Sequence, residues 1–226
     1  MAQPIKAVAF DLYGTLLNID ALAIALQPYT PMAEAMRDAW RQRQLQLANA
    51  VTSSVRYVDF DRITLTALHE VAPRFHAKIG PAETKILIDA WAHLPTYDDV
   101  IPTLRTAFKS IIPLMVITNA VESTARNALA YAGIDGFFSD VISADAVKVY
   151  KPKKAVYDQV LALGIDPSEV LMVTANDWDA MGARQAGFHT IWVNRKRGAG
   201  SPKPERVMYD LFELEHVLTD YTLAAL

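Results

Sequence analysis

The fold is decided by residues 5–16, which read IKAVAFDLYGTL. In this segment a short apolar run, Ile5 to Phe10, ends at the acidic Asp11. Three further short apolar runs also end in polar or small residues, at positions 111–117, 170–173 and 190–193. Short runs of this kind, separated by stretches with helical periodicity, are typical of buried strands in a parallel sheet. The sequence therefore predicts a doubly wound, Rossmann-like α/β fold.

The segments between these runs suit helices. Their apolar periodicity predicts helices at residues 123–132, 153–163 and 179–186. Gly187 follows the last of these, and glycine is a common stop at a helix C-terminus. Pro113 lies inside the second apolar run, and proline cannot donate to a sheet ladder. We therefore expect that strand to begin after Pro113.

Residues 18–96 have a different pattern. They contain long amphipathic stretches at residues 32–50, 59–72 and 81–94, with no clear strand run. This pattern predicts an all-helical cap of residues 18–96, inserted after the first strand into a core of residues 1–17 and 97–226. The glycine-containing segment 198–202 is predicted to be a surface loop.

The composition excludes several classes of protein. The chain has 226 residues, a formal net charge of -3 and no cysteine. A mildly acidic chain without long basic runs gives no electrostatic reason to expect nucleic acid as a partner. The lack of cysteine excludes disulfides, thiolate metal sites and a cysteine nucleophile. No leader or membrane-spanning segment is recognisable, so we expect a cytoplasmic protein that does not bind membranes.

Reactive polar side chains follow several of the predicted strands. They are Asp11, Thr118, Asn119, Asn176 and Asp179. Ligands of open parallel sheets bind beyond the carboxyl ends of the strands, so we expect these side chains to meet at one site. Each has an ordinary interpretation when taken alone, since an aspartate at a strand end is often only a helix cap. Arg41 and Lys151 could equally be solvated surface charges.

The order of the motifs resolves this ambiguity. The segment Asp11-Leu12-Tyr13-Gly14-Thr15-Leu16 resembles the nucleophile loop of the haloacid dehalogenase superfamily. The other landmarks of that superfamily follow in the same order, as Thr118-Asn119, Lys151-Pro152 and Asn176-Asp177-Trp178-Asp179. The resemblance covers essentially the whole chain, and four ordered landmarks at strand ends are far more specific than any one of them.

Two positions distinguish this chain from the phosphatases of the superfamily. Phosphatases carry a second Asp two residues after the nucleophile, as a general acid for the alkoxide leaving group. Here that position is Tyr13. Phosphatases also bind Mg²⁺ through acidic residues, yet the position four residues before Asp179 is Ala175, which has no oxygen in its side chain. A halide leaving group needs neither acid nor metal, so no metal and no cofactor are expected.

The chain is similar to the (S)-2-haloacid dehalogenase branch in particular. That branch has a nucleophilic Asp followed two residues later by Tyr, and an Arg in a Trp-Arg pair of the cap, which match Asp11, Tyr13 and Trp40-Arg41. The chain departs from the usual pattern at Thr118, Thr174, Ala175 and Asp177. These departures put the substrate range and the rate in question more than the class of reaction.

The resemblance implies roles for two sets of residues. The implied catalytic residues are Asp11, Thr15, Arg41, Lys151, Asn176 and Asp179. The implied substrate- and halide-binding residues are Leu12, Tyr13, Arg41, Gln42, Leu45, Phe60, Thr118, Asn119, Tyr157, Thr174 and Trp178. Asp11 would attack the halogen-bearing carbon, and Lys151 would keep its carboxylate ionised. Arg41 and Asn119 would stabilise the departing halide through preorganised donors.

The remaining roles concern the substrate and the second step. Thr118 would hold the substrate carboxylate, whereas Asn176 and Asp179 would position and activate the hydrolytic water. Four apolar or aromatic side chains would form one dry pocket around the reacting carbon, namely Tyr13, Leu45, Phe60 and Trp178. Removing water from the Asp11 carboxylate is expected to help its attack.

The expected reaction converts short (S)-2-haloalkanoic acids to (R)-2-hydroxy acids through an aspartyl ester, with inversion at C2. The expected partners are a small halogenated carboxylic acid and a second copy of the chain, because the resemblance implies a homodimer through the cap helices. Two alternatives stay open: a Mg²⁺-dependent phosphatase or phosphonatase of the same superfamily, and a catalytically idle binding protein that keeps the fold.

Overall fold

The computed structural model describes residues 4–52, 56–107, 112–198 and 205–223. Its strands are β1 Ala7–Phe10, β2 Leu114–Thr118, β3 Asp140–Ser143, β4 Val170–Thr174, β5 His189–Val193 and β6 Arg206–Met208. Its α-helices are α1 Leu22–Leu26, α2 Ala33–Thr52, α3 Phe60–Val71, α4 Pro81–Ala92, α5 Val100–Ala107, α6 Glu122–Tyr131, α7 Lys154–Tyr157, α8 Asp177–Ala186 and α9 Leu214–Leu223. Short 3-10 turns connect several of these elements.

The six strands form one parallel sheet in the order β3-β2-β1-β4-β5-β6. This order confirms the predicted doubly wound fold, because the chain moves outward from β1 in one direction and then in the other. The sequence did not predict β3 and β6. β3 has only four residues and begins with Asp140, and β6 has three residues, of which Arg206 and Val207 are exposed at the sheet edge. Neither segment therefore has the apolar run of a central strand.

The central strands explain why the apolar runs are continuous. Every residue of β1, β2 and β4 is buried, since helices cover both faces of the sheet. β2 begins at Leu114, directly after Pro113, as the sequence predicts. The carbonyl of Pro113 still takes part in the ladder, because it accepts the N–H of Val8 at 3.0 Å.

The helices between the strands follow the predictions in two cases out of three. The predicted helix at 123–132 corresponds to α6, and that at 179–186 corresponds to α8, which ends at Ala186 and is capped by Gly187 with φ of 107°. The third prediction, a helix over residues 153–163, is wrong in its second half. Only α7 is α-helical there, and residues 158–163 form tighter 3-10 turns of the kind that often end a helix.

A helical insertion, α1 to α4, follows β1 as predicted. The side chain of Asp59 caps α3 by accepting the N–H of Arg62 at 2.9 Å. The two segments that connect the insertion to the sheet run side by side, through a bridge between Leu17 and Thr96. That bridge lies at the predicted cap boundaries, residues 17/18 and 96/97, which remain a prediction.

No helix in the described part of the chain is long and apolar enough to cross a membrane. Apart from Gly198, the predicted surface loop at 198–202 lies outside the described residues.

Candidate active site

Asp11 lies at the carboxyl end of β1, where both of its carboxylate oxygens accept hydrogen bonds. Oδ1 accepts from Nζ of Lys151 at 2.8 Å. Oδ2 accepts from Oγ1 of Thr15 and from Nδ2 of Asn176, each at 2.9 Å. The Asp11 N–H donates to the carbonyl of Val173 in β4 at 3.0 Å, which ties the loop to the neighbouring strand. Hence the carboxylate is fixed in one orientation.

Lys151 is the cation of this cluster. Its ammonium donates to Asp11 Oδ1 at 2.8 Å, to Asp179 Oδ2 at 2.8 Å and to the carbonyl of Ile117 at 2.9 Å. All three of its hydrogens are therefore used. Burial lowers the pKa of Lys151, but the two carboxylates and their hydrogen bonds outweigh burial and raise this pKa above its ordinary value. Lys151 therefore stays charged at neutral pH.

Asp179 lies in the first turn of α8 and is completely buried. Its Oδ2 accepts from Lys151, and its Oδ1 accepts from Oη of Tyr157 at 2.6 Å. Burial and the nearby Asp11 carboxylate raise the pKa of Asp179, against the opposing effect of Lys151. Burial and the Asp179 carboxylate likewise raise the pKa of Tyr157. The phenol therefore stays protonated and donates a hydrogen bond to Asp179. Tyr157 thus contacts the acidic cluster, which consists of Asp11 and Asp179 with Lys151 between them.

Four other predicted residues hold the loops around Asp11. The carbonyl of Leu12 accepts the N–H groups of three later residues of its own loop, at 3.3, 2.9 and 3.0 Å. The hydroxyl of Thr118 accepts the N–H of Ala120, and that of Thr174 accepts the N–H of Asn176. Asn119 accepts the N–H of Lys151 at 2.9 Å. These contacts shape the carboxyl edge of the sheet.

Arg41 of α2 contacts the loop that follows β1. Its Nη1 donates to Oε1 of Gln44 at 2.6 Å, and its Nη2 donates to the carbonyl of Tyr13 at 3.4 Å. Burial lowers the pKa of Arg41, and the carboxylate of Asp11 opposes that effect. Among the described residues, no carboxylate forms an ion pair with this guanidinium, whereas Arg43 of the same helix pairs with Glu70.

The four side chains expected to form one pocket are divided between two cavities. Leu45 and Trp178 line a cleft of about 390 Å³, together with Gln42, Asn119 and Lys151. Tyr13 and Phe60 line a cavity of about 310 Å³, together with Gln44 and Trp91. The division follows from α2, because Gln44 and Leu45 are consecutive residues and so point about 100° apart around the helix axis.

The residues around Asp11 do not fit a Mg²⁺ site. Oδ1 of Asp11 already accepts from the Lys151 ammonium, and Oδ2 accepts from two further donors. The N–H of Ala175 donates to Thr15, and its carbonyl accepts from Nε1 of Trp192 at 3.1 Å. Mg²⁺ requires near-octahedral oxygen ligands. In the part of the chain that the structure describes, no group of three or more His, Asp or Glu side chains could hold a metal.

The sequence did not single out Gly182, which lies in α8 against the site. A Cβ atom at this position would lie 2.4 Å from Cβ of Pro152 and 2.8 Å from Oη of Tyr157. Only glycine therefore lets α8 approach these residues so closely. Glycine in a helix interior is unfavourable by about 1 kcal/mol relative to alanine, so Gly182 within a predicted helix was itself a signal.

The sequence also missed a largely buried ion pair next to the loop that follows β1. The guanidinium of Arg195, which follows β5, makes two bonds to the carboxylate of Asp99, at 2.7 and 3.0 Å. Its Nη2 also donates to the carbonyl of Thr15 at 2.9 Å, and its flat face lies 4.0 Å from the ring centre of Tyr97. Asp99 in turn accepts the N–H of Leu211 at 2.7 Å. No motif links Asp99 to Arg195, because they are far apart in the chain.

The fold and the site together define a class: α/β proteins with a buried, lysine-held aspartate after their first strand and a helical insertion beside it. The chain belongs to the haloacid dehalogenase-like hydrolase family, whose sequence model matches residues 5–187. It is 33% identical to (S)-2-haloacid dehalogenase 2 of Pseudomonas sp. (strain CBS-3) over 221 residues, which are 96% of each chain. It is 31% identical to (S)-2-haloacid dehalogenase H-109 of Pseudomonas putida, over 96% of this chain and all (100%) of that protein.

Solved structures agree with this assignment. The L-2-haloacid dehalogenase RSc1362 matches with a TM-score of 0.91 and 30% identity, over 96% of this chain and 100% of that chain. The L-2-haloacid dehalogenase of Xanthobacter autotrophicus with covalently bound chloropropionic acid matches with a TM-score of 0.85 and 28% identity, over 95% and 98% of the two chains. The resemblance inferred from the motifs is confirmed, and with it the prediction of a hydrolase that acts on carbon–halide bonds.

Proposed function

We propose that this chain hydrolyses short (S)-2-haloalkanoic acids to (R)-2-hydroxy acids through an ester on Asp11, with inversion at C2 and without a metal. The observation that carries the proposal is the Asp11 carboxylate, which Lys151, Thr15 and Asn176 hold at 2.8 to 2.9 Å beside a partly apolar cleft. The covalent chloropropionic acid in the Xanthobacter relative supports the same chemistry.

In the first step, Oδ1 of Asp11 is the attacking atom. Thr15 and Asn176 both donate to Oδ2, which becomes the carbonyl oxygen of the ester and keeps these two donors, whereas Oδ1 forms the new bond. A bond forms between Oδ1 and C2 as the carbon–halogen bond breaks, and the halide leaves with the bonding electrons. Attack opposite the halogen inverts C2. Arg41 and Asn119 stabilise the negative charge that develops on the departing halide.

In the second step, water attacks the carbonyl carbon of the Asp11 ester. Asp179 takes a proton from the water, and Asn176 orients the ester through its contact with Oδ2. The bond between the Asp11 carbonyl carbon and the oxygen now attached to C2 breaks, and Asp179 returns the proton it took from the water to the leaving alkoxide. A carboxyl with a raised pKa suits this task, because a base works best when its pKa approaches the working pH.

The substrate carboxylate is assigned to the loop after β2. The hydroxyl of Thr118 orders this loop by accepting the N–H of Ala120. Side chains of the cleft, Gln42 and Leu45 on α2 and Trp178 on α8, then surround the reacting carbon. Tyr13 and Phe60 border the second cavity, on the side of α3 and α4. Burial, followed by the effect of Asp61, raises the pKa of Tyr13, which stays a neutral phenol.

The test measures halide release from both enantiomers of 2-chloropropionate in the presence of EDTA, with wild type and Asp11→Asn. We expect release from the S enantiomer only, and none from the variant. A single turnover in ¹⁸O-water should place the label in Asp11 rather than in the hydroxy acid, since the product oxygen comes from the carboxylate. Phosphate-ester hydrolysis that appears only with Mg²⁺, with no halide release, would instead establish the phosphatase alternative.

We also propose a homodimer through the helical insertion. Trp40 cannot serve this interface, because it is completely buried within one chain. Exposed apolar side chains on α1, α3 and α4 are available instead, namely Ile24, Leu65 and Ile86. Sedimentation equilibrium of wild type and Ile86→Glu tests this assignment, and a wild-type monomer at micromolar concentration would refute it.

A further inference from the structure

Arg41 is a partly buried cation whose hydrogen-bond partners are neutral. The side-chain amide of Gln44 and the main-chain carbonyl of Tyr13 accept its hydrogens. A buried charge is unfavourable unless an opposite charge compensates it. In the described structure no carboxylate forms an ion pair with Arg41, although Arg37, Arg43 and Arg195 each have one. The pattern points to an anion that compensates Arg41 only during the reaction.

Gln44 holds the guanidinium in place, and Gln44 is itself held firmly. Only 1% of Gln44 is exposed, and its Nε2 lies 2.6 Å from Oγ1 of Thr64. The single hydrogen of that hydroxyl is donated to the carbonyl of Phe60 at 2.7 Å. The hydroxyl can therefore only accept from Gln44, so the amide NH₂ must face Thr64 and the amide oxygen must face Arg41.

The choice of an amide has a chemical consequence. A carboxylate at the position of the Gln44 amide would still accept from Arg41, although it could not donate to Thr64. It would also neutralise the guanidinium charge, and at low dielectric that attraction is strong. A neutral amide orients Arg41 and leaves its positive charge for an incoming anion.

We propose that Gln44 is a positioning residue that aims Arg41 at the departing halide while preserving the full charge of Arg41. The inference rests on the proposed function for the identity of the anion. Gln44 does not touch the reacting atoms; it acts through Arg41. Thr64 is the anchor of this arrangement, since its hydroxyl fixes which end of the amide faces the guanidinium.

The test compares Gln44→Glu with Gln44→Leu. If Gln44 had only a structural role, the glutamate, which still accepts from Arg41, would be tolerated better than leucine. If charge preservation matters, glutamate is the worse variant: we expect its kcat to fall about 100-fold and that of leucine about tenfold, with smaller changes in KM. Gln27→Glu, at an exposed position after α1, changes the net charge equally and should keep wild-type kinetics.

A second readout does not depend on turnover. Bromide binding, followed as the rise in melting temperature with bromide at constant ionic strength, should be lost in Gln44→Glu and retained in part in Gln44→Leu. Thr64→Val removes the hydroxyl that holds the Gln44 amide and leaves Gln44 itself unchanged. If Gln44→Glu does not fold, Thr64→Val is tested in its place. Its matched control is Thr66→Val, because Thr66 makes the same hydroxyl-to-carbonyl bond on the exposed side of α3.

The outcomes separate this inference from the proposed function. Wild-type kinetics and bromide binding in Gln44→Glu, or a leucine variant worse than the glutamate variant, would overturn the role of Gln44. A wild-type enzyme that binds bromide but releases no halide from 2-haloacids would refute the proposed function. In that case, loss of bromide binding in Gln44→Glu would still support the role of Gln44.

Discussion

Two guanidinium groups, those of Arg41 and Arg195, contact the loop that follows β1, and they differ in how their charge is compensated. Arg195 donates to the carbonyl of Thr15 and makes two bonds to Asp99. Arg41 donates to the carbonyl of Tyr13, two residues earlier in the same loop, and its other partner is the neutral Gln44. A charge that the fold itself compensates indicates a structural role. A partly buried charge that has no ion pair among the described residues is available to an anion supplied from outside.

The largest expected effect is on stability, at the compensated site. Arg195→Met leaves the carboxylate of Asp99 buried without its cation, and losing one partner of a buried ion pair costs about 3–5 kcal/mol. Urea unfolding should show this loss, whereas kcat of the folded fraction should change far less than in Arg41 variants. The double variant Asp99→Asn/Arg195→Met should recover part of the stability. A fall in kcat without a fall in stability would contradict the structural role.

Arg41→Met tests the uncompensated site. We expect kcat to fall about 100- to 1,000-fold, which corresponds to about 2.7–4 kcal/mol of lost transition-state stabilisation. The free energy of unfolding should change little, because Arg41 is only partly buried and forms no ion pair with a carboxylate of the described residues. Arg195→Met should therefore lower stability with little effect on kcat, whereas Arg41→Met should lower kcat with little effect on stability. Marked destabilisation by Arg41→Met would erase the distinction between them.

Gly182→Ala probes the acidic cluster without removing any charge. The new Cβ would overlap Pro152 and the hydroxyl of Tyr157, so one of them must move. Overpacking of this kind costs about 1–3 kcal/mol. Displacement of Tyr157 from Asp179 should slow ester hydrolysis more than ester formation, so the covalent intermediate should accumulate in the mass spectrum of the denatured enzyme.

A matched control is Gly136→Ala, because a Cβ there would meet nothing within 4 Å. That variant should keep wild-type stability and show no accumulated ester. Equal destabilisation by both substitutions would indicate a general effect of alanine rather than contact with the site.

The sequence predicted those parts of the site that local patterns encode. Asp11 was recognisable because it lies at the end of an apolar run, and Asp179 because it follows shortly after another; parallel strands bring such ends together. Gln44 was not recognised, since its role depends on Thr64 of another helix. The Asp99–Arg195 pair depends on the packing of β5 against the connecting segment. The expected single pocket required knowing which way consecutive residues of α2 face, and only the assembled helices determine that.

The smallest expected effect is the change of stability with pH that Asp179 causes. The ammonium of Lys151 forms ion pairs with the carboxylates of both Asp11 and Asp179, so one positive charge only partly compensates two negative charges. Burial and the Asp11 charge raise the pKa of Asp179 above its ordinary value of 3.8. The folded protein therefore binds this proton more tightly than the unfolded chain, and stability should fall as pH rises from 3.8 through the raised pKa.

Urea unfolding of wild type and Asp179→Asn at a series of pH values measures this term as the difference between the two proteins. The stability of wild type relative to the variant should decrease with rising pH over that window and then level off. kcat of wild type should rise over the same window, because the ionised carboxylate is the base of the second step. A difference in stability that does not change with pH would mean that Lys151 compensates the charge of Asp179 as fully as Asp99 compensates that of Arg195. If stability falls with rising pH while kcat rises, the charge of Asp179, like that of Arg41, serves the reaction rather than the stability of the fold.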